Sequence, residues 1–152
     1  MKTLNQLIET IKDLKEAHGQ LNSGTFYFGD EWEYEQTTQY TFPFTGLRLI
    51  GSSIDGNLHT TNFNIFFADR VKQGELNETE VLSDMGLIAL DIYAQLKTSL
   101  ENNDPTTTAP ATLQLTSQIT PFTEGFLSAT AGVEMNIAIV QFYDRQTCDI
   151  PD

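Results

Sequence analysis

The sequence predicts an α+β fold, a two-layer sandwich in which a mostly antiparallel sheet carries two helices packed on one face. Three observations predict it. An apolar stripe at helical spacing opens the chain, and a longer one occupies residues 77–100. Segments with two-residue alternation lie on both sides of that second stripe. Helices striped on one side need a sheet or another helix to cover the stripe, and one-sided helices beside several strands suit two layers.

Leu4, Leu7, Ile8, Ile11 and Leu14 mark a first helix over residues 3–18, ended near Gly19. Residues 25–29, Thr-Phe-Tyr-Phe-Gly, read as a short aromatic strand. Residues 30–35 alternate acid with aromatic at the period of a strand. Pro43 suits a strand edge or entry better than a central ladder, because it has no N–H to donate. Residues 47–54 and 58–69 then form a β-hairpin around Asp55-Gly56-Asn57. On its second arm Thr61, Phe63, Ile65 and Phe67 share one face, and Asn62, Asn64, Phe66 and Ala68 share the other.

The second helix has a start signal. Asn77 can cap it, Glu80 can complete a capping box, and Leu76 with Val81 can form a hydrophobic staple. Val81, Leu82, Met85, Ile88, Ala89, Ile92, Tyr93, Leu96 and Leu100 supply its stripe. Residues 101–110 hold two prolines among polar residues and read as a loop. Residues 112–119 alternate as a strand, with Leu113, Leu115 and Ile119 opposite Thr112, Gln114, Thr116 and Gln118. Residues 120–132, with Pro121, Gly125 and Gly132, read as an extended connection. Val133, Met135, Ile137 and Ile139 alternate in a last strand reaching about Tyr143, before a polar tail. No repeat and no second domain is evident, so residues 1–152 are read as one α+β domain.

If alternation is kept, Ile50, Ile54, Phe66, Val140 and Phe142 fall on the sheet face opposite the core set. A second apolar face in a small domain calls for a partner, unless register bulges or a wrapping segment such as residues 26–44 bury it.

Charge narrows the function classes. Twenty-one acids against 8 Lys plus Arg leave a net charge of −13, a field that repels phosphate and disfavours ordinary nucleic-acid binding. Such a surface serves solubility first, and a sharper reading is a conduit that faces DNA without gripping it. No apolar run is long enough to span a membrane, and the first residues lack the apolar core of a secretory signal, reading instead as the first turn of a helix. The lone Cys148 can form no internal disulfide, which fits a reducing compartment.

Nothing in the chain reads as a catalytic, cofactor or metal site. His18 falls at a helix C-terminus, where an imidazole caps carbonyls, and His59 falls in a hairpin arm. Two histidines this far apart lack zinc-ligand spacing, and Cys148 has no partner at metal or redox spacing. Asp55-Gly56-Asn57 lacks the further ligands of a calcium loop, and Gly24 and Gly29 are isolated, with no phosphate-binding lysine after them. Asp30, Glu31, Glu33 and Glu35 are either a solvated strand face or acids on the rim or lumen of an assembly. Within one chain Glu31, Glu33 and Glu35 stand roughly 6–7 Å apart, too far to share an ion. Trp32, Tyr34, Tyr40, Phe42 and Phe44 lack interleaved Lys or Arg for stacking single strands, so they read as packing residues.

This order of elements resembles the tail-terminator, or tail-completion, proteins of tailed bacteriophages, small α+β domains that form rings at the head–tail junction. The residues carrying the resemblance are the first helix, the aromatic strand ending at Gly29, and Tyr40-Thr41-Phe42-Pro43 leading into the hairpin. To these add the long second helix, and Phe122-Thr123-Glu124-Gly125-Phe126 with Ala131-Gly132-Val133 opening the last strand. The chain departs from that pattern in its long acidic-aromatic insert at residues 30–41, which leaves open whether the ring is a tail terminator, a neck ring or a related connector.

The resemblance implies a homo-oligomeric ring, a hexamer or dodecamer, in the virion and made in the cytoplasm of the bacterial host. Such a ring touches other phage neck, portal or tail proteins and lets DNA pass without specific binding. Residues 30–44 and 101–110 become candidate inter-subunit contacts, Asp30, Glu31, Glu33 and Glu35 candidate lumen or rim acids, and Trp32, Tyr34, Phe42, Phe66 and Phe142 candidate interface residues. The competing reading is a small soluble ligand- or protein-binding α+β module with no virion role.

Overall fold

The computed structural model describes residues 2–29, 41–71, 77–101, 112–113, 117–123 and 130–142. The chain runs α1 (Leu4–Ala17), β1 (Phe26–Phe28), β2 (Phe44–Asp55), β3 (Leu58–Arg70), α2 (Glu78–Glu101), β4 (Thr112–Leu113), β5 (Gln118–Thr123) and β6 (Thr130–Phe142). The strands make one mixed, mostly antiparallel sheet in the order β1-β2-β3-β6-β4, with β5 also on β6. Only β1 and β2 run parallel. The expected α+β class with helices backing a sheet is therefore present.

Helix α1 begins at a complete capping box. The Thr3 hydroxyl accepts from the Gln6 N–H, and the Gln6 side chain accepts from the Thr3 N–H. It ends at His18, whose own N–H donates to the Lys15 carbonyl. The start of α2 agrees with Asn77 as its cap, since the Asn77 carbonyl accepts from the Val81 N–H. Its partner in the expected staple, Leu76, lies outside the described residues. Glu78 and Glu80 in the first turn face the positive end of the helix dipole.

The hairpin is the long spine of the sheet. β2 and β3 pair from Phe44 opposite Ala68 to Asp55 opposite Leu58 and turn through Gly56 and Asn57. Gly56 has φ of 60°, the left-handed geometry that two-residue hairpin loops require and glycine adopts without strain. β6 then pairs with all of β3, from Leu58 opposite Phe142 to Arg70 opposite Thr130.

The core fills the space between the helices and one sheet face. Val81, Met85, Ile88, Ala89, Ile92, Leu96 and Leu100 of α2 and Leu7 and Ile11 of α1 meet Phe63, Ile65 and Phe67 of β3. Val133, Met135, Ile137 and Ile139 of β6 join them, with Leu47, Leu21 and Leu113 at the margins. These are the inward positions that the two periodicities select.

Three details depart from the sequence reading. Of the strand expected over residues 112–119, the described residues give β4 and the start of β5, residues 114–116 lying outside them, and β5 runs on through Pro121 to Thr123, where a connection was expected. Proline is accommodated because β5 lies off the main strand path and pairs, among the described residues, with β6 alone. Second, the β2–β3 register shifts between Leu49 and Gly51, leaving Ile50 as the extra residue of a bulge. Third, that shift returns Ile54 to the helix side, opposite His59, whereas strict alternation had put it on the other face.

Two glycines are fixed by close backbone approach. A Cβ at Gly24 would sit 1.6 Å from the Pro43 carbonyl oxygen, and one at Gly132 would sit 1.9 Å from that of Phe67. Thr25 ties the same corner together. It donates its N–H to Thr41, accepts the Thr41 N–H on its hydroxyl, and accepts the Thr45 N–H on its carbonyl.

Candidate functional site

The sheet face away from the helices divides into three zones. At one end a second apolar cluster forms from Phe44, Phe66 and Ala68, packed on by Tyr27, Phe42 and Phe122. Phe66 and Phe122 meet edge to face, with ring centroids 6.4 Å apart at 70°. The Arg70 guanidinium lies 5.0 Å from the centre of the Phe42 ring, a cation–π arrangement. Phe42-Pro43 is a cis peptide.

In the middle the face is polar. Asn64 stands opposite Asn136, and Gln118 stands opposite Asn136 on its other side. Asn62, two residues from Asn64 on the same face, has Ala138 on one flank and Gly51 on the other. These small flanking residues leave a hollow of about 530 Å3, lined by the four amides, Ala138 and Ile50.

The third zone is the far end, around the hairpin turn. Leu58 pairs directly with Phe142, and both are exposed. At this end the bulged Ile50 and, on the helix side of the sheet, Leu49 and Ile54 are also exposed, Ile54 at 69%. The outer edge of β2 changes character here. β1 pairs only with Thr45, Gly46 and Leu47, and among the described residues no strand lies outside positions 49–55.

The candidate residues are distributed unevenly over these zones. Phe142 is 46% exposed at the far end, as an interface residue needs to be. Phe42 is half-buried on the apolar cluster. Phe66 departs from its expected interface role. It is 2% exposed, and Phe44, Phe122 and their neighbours cover it within the subunit. The wrapping residues near 42–44 thus bury part of the face that alternation had left bare. Asp30, Glu31, Trp32, Glu33, Tyr34, Glu35, Cys148 and residues 102–110 lie outside the described residues.

The histidines are placed structurally. His18 Nδ1 accepts from the Gln20 N–H, and its Nε2 lies 3.6 Å from the Asp91 carboxylate, bringing the end of α1 against α2. His59 is half-buried on the helix side, paired with Gln141, and its Nδ1 has no partner among the described residues. The two histidines are not brought together with acids into one cluster. Among the described residues no group of three His, Cys, Asp or Glu side chains is placed to hold a metal ion.

Two buried polar residues carry structure that the sequence reading did not single out. Lys15 is 2% exposed and donates from Nζ to the Gly24 carbonyl at 2.5 Å, joining α1 to the corner before β1. Gln141 occupies the inward position after Ile139 on β6 and bonds the backbone of Lys2. Its signal was present as a polar residue continuing an inward apolar series. The amide hollow had a signal of the same kind, since Asn62, Asn64 and Gln118 each fall opposite core positions. Their meeting required the register of three strands.

Fold and site together define a helix-backed mixed-sheet α+β protein whose other face is part apolar and part amide-lined, with positions 49–55 of β2 lacking an outer strand among the described residues. No protein-family model matches the chain, and no curated protein matches it.

Proposed function

We propose that the protein is a structural subunit of a bacteriophage virion that assembles into a homo-oligomeric ring, a hexamer or dodecamer, at the head–tail junction. The edge of β2 at positions 49–55, which has no outer strand among the described residues, carries the self-association. It is about 20 Å of strand whose outward N–H and C=O groups can continue a ladder into a neighbour. Exposed strand edges are normally shortened, charged or covered, because they recruit other chains. This one carries Leu49, Ile50 and Ile54, all exposed, with Leu58 and Phe142 close by. A head-to-tail contact between such an edge and a different surface of the next copy is heterologous, and a heterologous contact that closes makes a ring.

The virion setting rests on the element order and on the Tyr40-Thr41-Phe42-Pro43 and Ala131-Gly132-Val133 segments that resemble tail-terminator proteins. The net charge of −13 supports a passage through which DNA moves without adhering. The role is architectural. Among the described residues the hollow on this face is lined by amides and apolar groups, with no acid, base or nucleophile to start a reaction.

Native mass spectrometry and electron microscopy of the purified protein test the proposal, with neck or tail components added in a second arm. Closed rings are expected, and Ile50→Lys with Ile54→Lys should return folded monomers. A monomer that never associates, alone or with virion components, would transfer the chain to the class of small binding modules.

A further inference from the structure

The amide-lined hollow touches the β2 edge only at Ile50 and Gly51, and its polar lining calls for a different partner. Asn64, Asn136 and Gln118 form a row across β3, β6 and β5, about 10 Å long at ordinary strand spacing. Asn62 stands beside that row, over the gap left by Ala138 and Gly51. A Cβ built on Gly51 meets nothing within 4 Å, so the space is open. The carboxamides of these four residues make no hydrogen bond to one another or to another described side chain. Each therefore offers a carbonyl acceptor and two N–H donors to a ligand.

We propose that this hollow is a binding site for a neutral oligosaccharide. Sugar hydroxyls donate and accept at once, which matches a row of carboxamides carrying both functions and no formal charge. The volume of about 530 Å3 falls within the range of small-ligand sites. Ile50 supplies an apolar wall for the C–H face of a ring. Two other partners fit less well. A nucleic acid meets the repulsion of a −13 chain that places no lysine or arginine in the lining. An extended peptide lying on a sheet face directs its main-chain groups sideways, so it is better served by a strand edge than by this row.

The test uses the full chain labelled with nitrogen-15 and follows the side-chain NH2 resonances of Asn and Gln. Maltotriose, cellotriose and chitotriose are each titrated to tens of millimolar, beside a short single-stranded oligonucleotide. Saturable shifts of Asn62, Asn64, Gln118 and Asn136 with at least one trisaccharide are expected. Asn136→Ala, at an exposed position, should weaken that binding roughly tenfold. Ala138→Leu should abolish it by filling the hollow, with the backbone spectrum reporting that the variant is folded. Absence of saturable shifts with all three sugars overturns the assignment, as does a response to the oligonucleotide alone. Native mass recorded on the same samples keeps this outcome separate from the assembly proposal, since sugar binding is read whether the chain is a ring or a monomer.

Discussion

Lys2 and Gln141 hold each other through two hydrogen bonds across 139 positions of sequence. The Lys2 N–H donates to Oε1 of Gln141 at 2.6 Å, and Nε2 of Gln141 donates back to the Lys2 carbonyl at 3.1 Å. Gln141 is 3% exposed, so its amide satisfies both of its functions on the backbone entering α1. The last strand thereby fixes where the first helix lies over the sheet.

Gln141→Ala should cost about 1–3 kcal/mol, because both Lys2 groups lose a buried partner. At this chain length that lowers the melting temperature by roughly 2–4 °C per kcal/mol. Hydrogen exchange should show the amides of α1 losing protection before those of α2. Unchanged protection in α1 would remove the tether from the account.

Gly132→Ala and Gly24→Ala should each destabilise by several kcal/mol, above the usual range of about 1–3 kcal/mol for overpacking. The obstructing atoms are backbone oxygens of Phe67 and Pro43, which cannot swing aside as a side chain can. Gly86→Ala is the control. A Cβ there meets nothing within 4 Å in the middle of α2, so it should stabilise by about 0.5–1 kcal/mol. Urea denaturation of the three variants checks the contrast.

Lys15→Met keeps most of the buried stem and deletes the bond to the Gly24 carbonyl together with the 3.4 Å ion pair to the half-exposed Glu16. A loss of about 1–3 kcal/mol is expected, that of an acceptor left without its partner. Lys15→Ala should cost more, since the stem packing goes too. Equal losses in the two variants would mean that the stem contributes nothing, and an unchanged Lys15→Met would mean the same of the ammonium.

Phe67→Ala should cost about 3–5 kcal/mol, as expected for a fully buried ring between sheet and helices. Phe142→Ala removes the same atoms from a half-exposed site and should stay within about 0.5–1 kcal/mol in monomer stability. Under the proposed assembly it should instead weaken association, seen as a shift toward monomer in analytical ultracentrifugation.

Much of this architecture was legible because local periodicity reports which side of an element is apolar. Residues 61–68 alternate strictly, and both of their faces were assigned correctly before any partner strand was known. The stripe of α2 and the capping of α1 were equally local. Ile54 was not legible, because the bulge at Ile50 reflects how two strands settle against each other rather than either one alone. Pro121 was read as a breaker, since its tolerance depends on β5 lying off the main strand path. The hollow required three registers to bring Asn64, Asn136 and Gln118 side by side.

By itself the sequence determined the element types, the inward face of each helix and of most strands, and a surface field hostile to phosphate. These follow from side-chain spacing and from charge, which act over a few residues or over the whole surface. Only the tertiary structure decided where the ladder slips, which stretch of β2 lacks a described neighbour and which part of the far face is covered. It also decided that Lys15 and Gln141 would be buried, because a polar group goes inside only where a distant backbone atom waits to bond it.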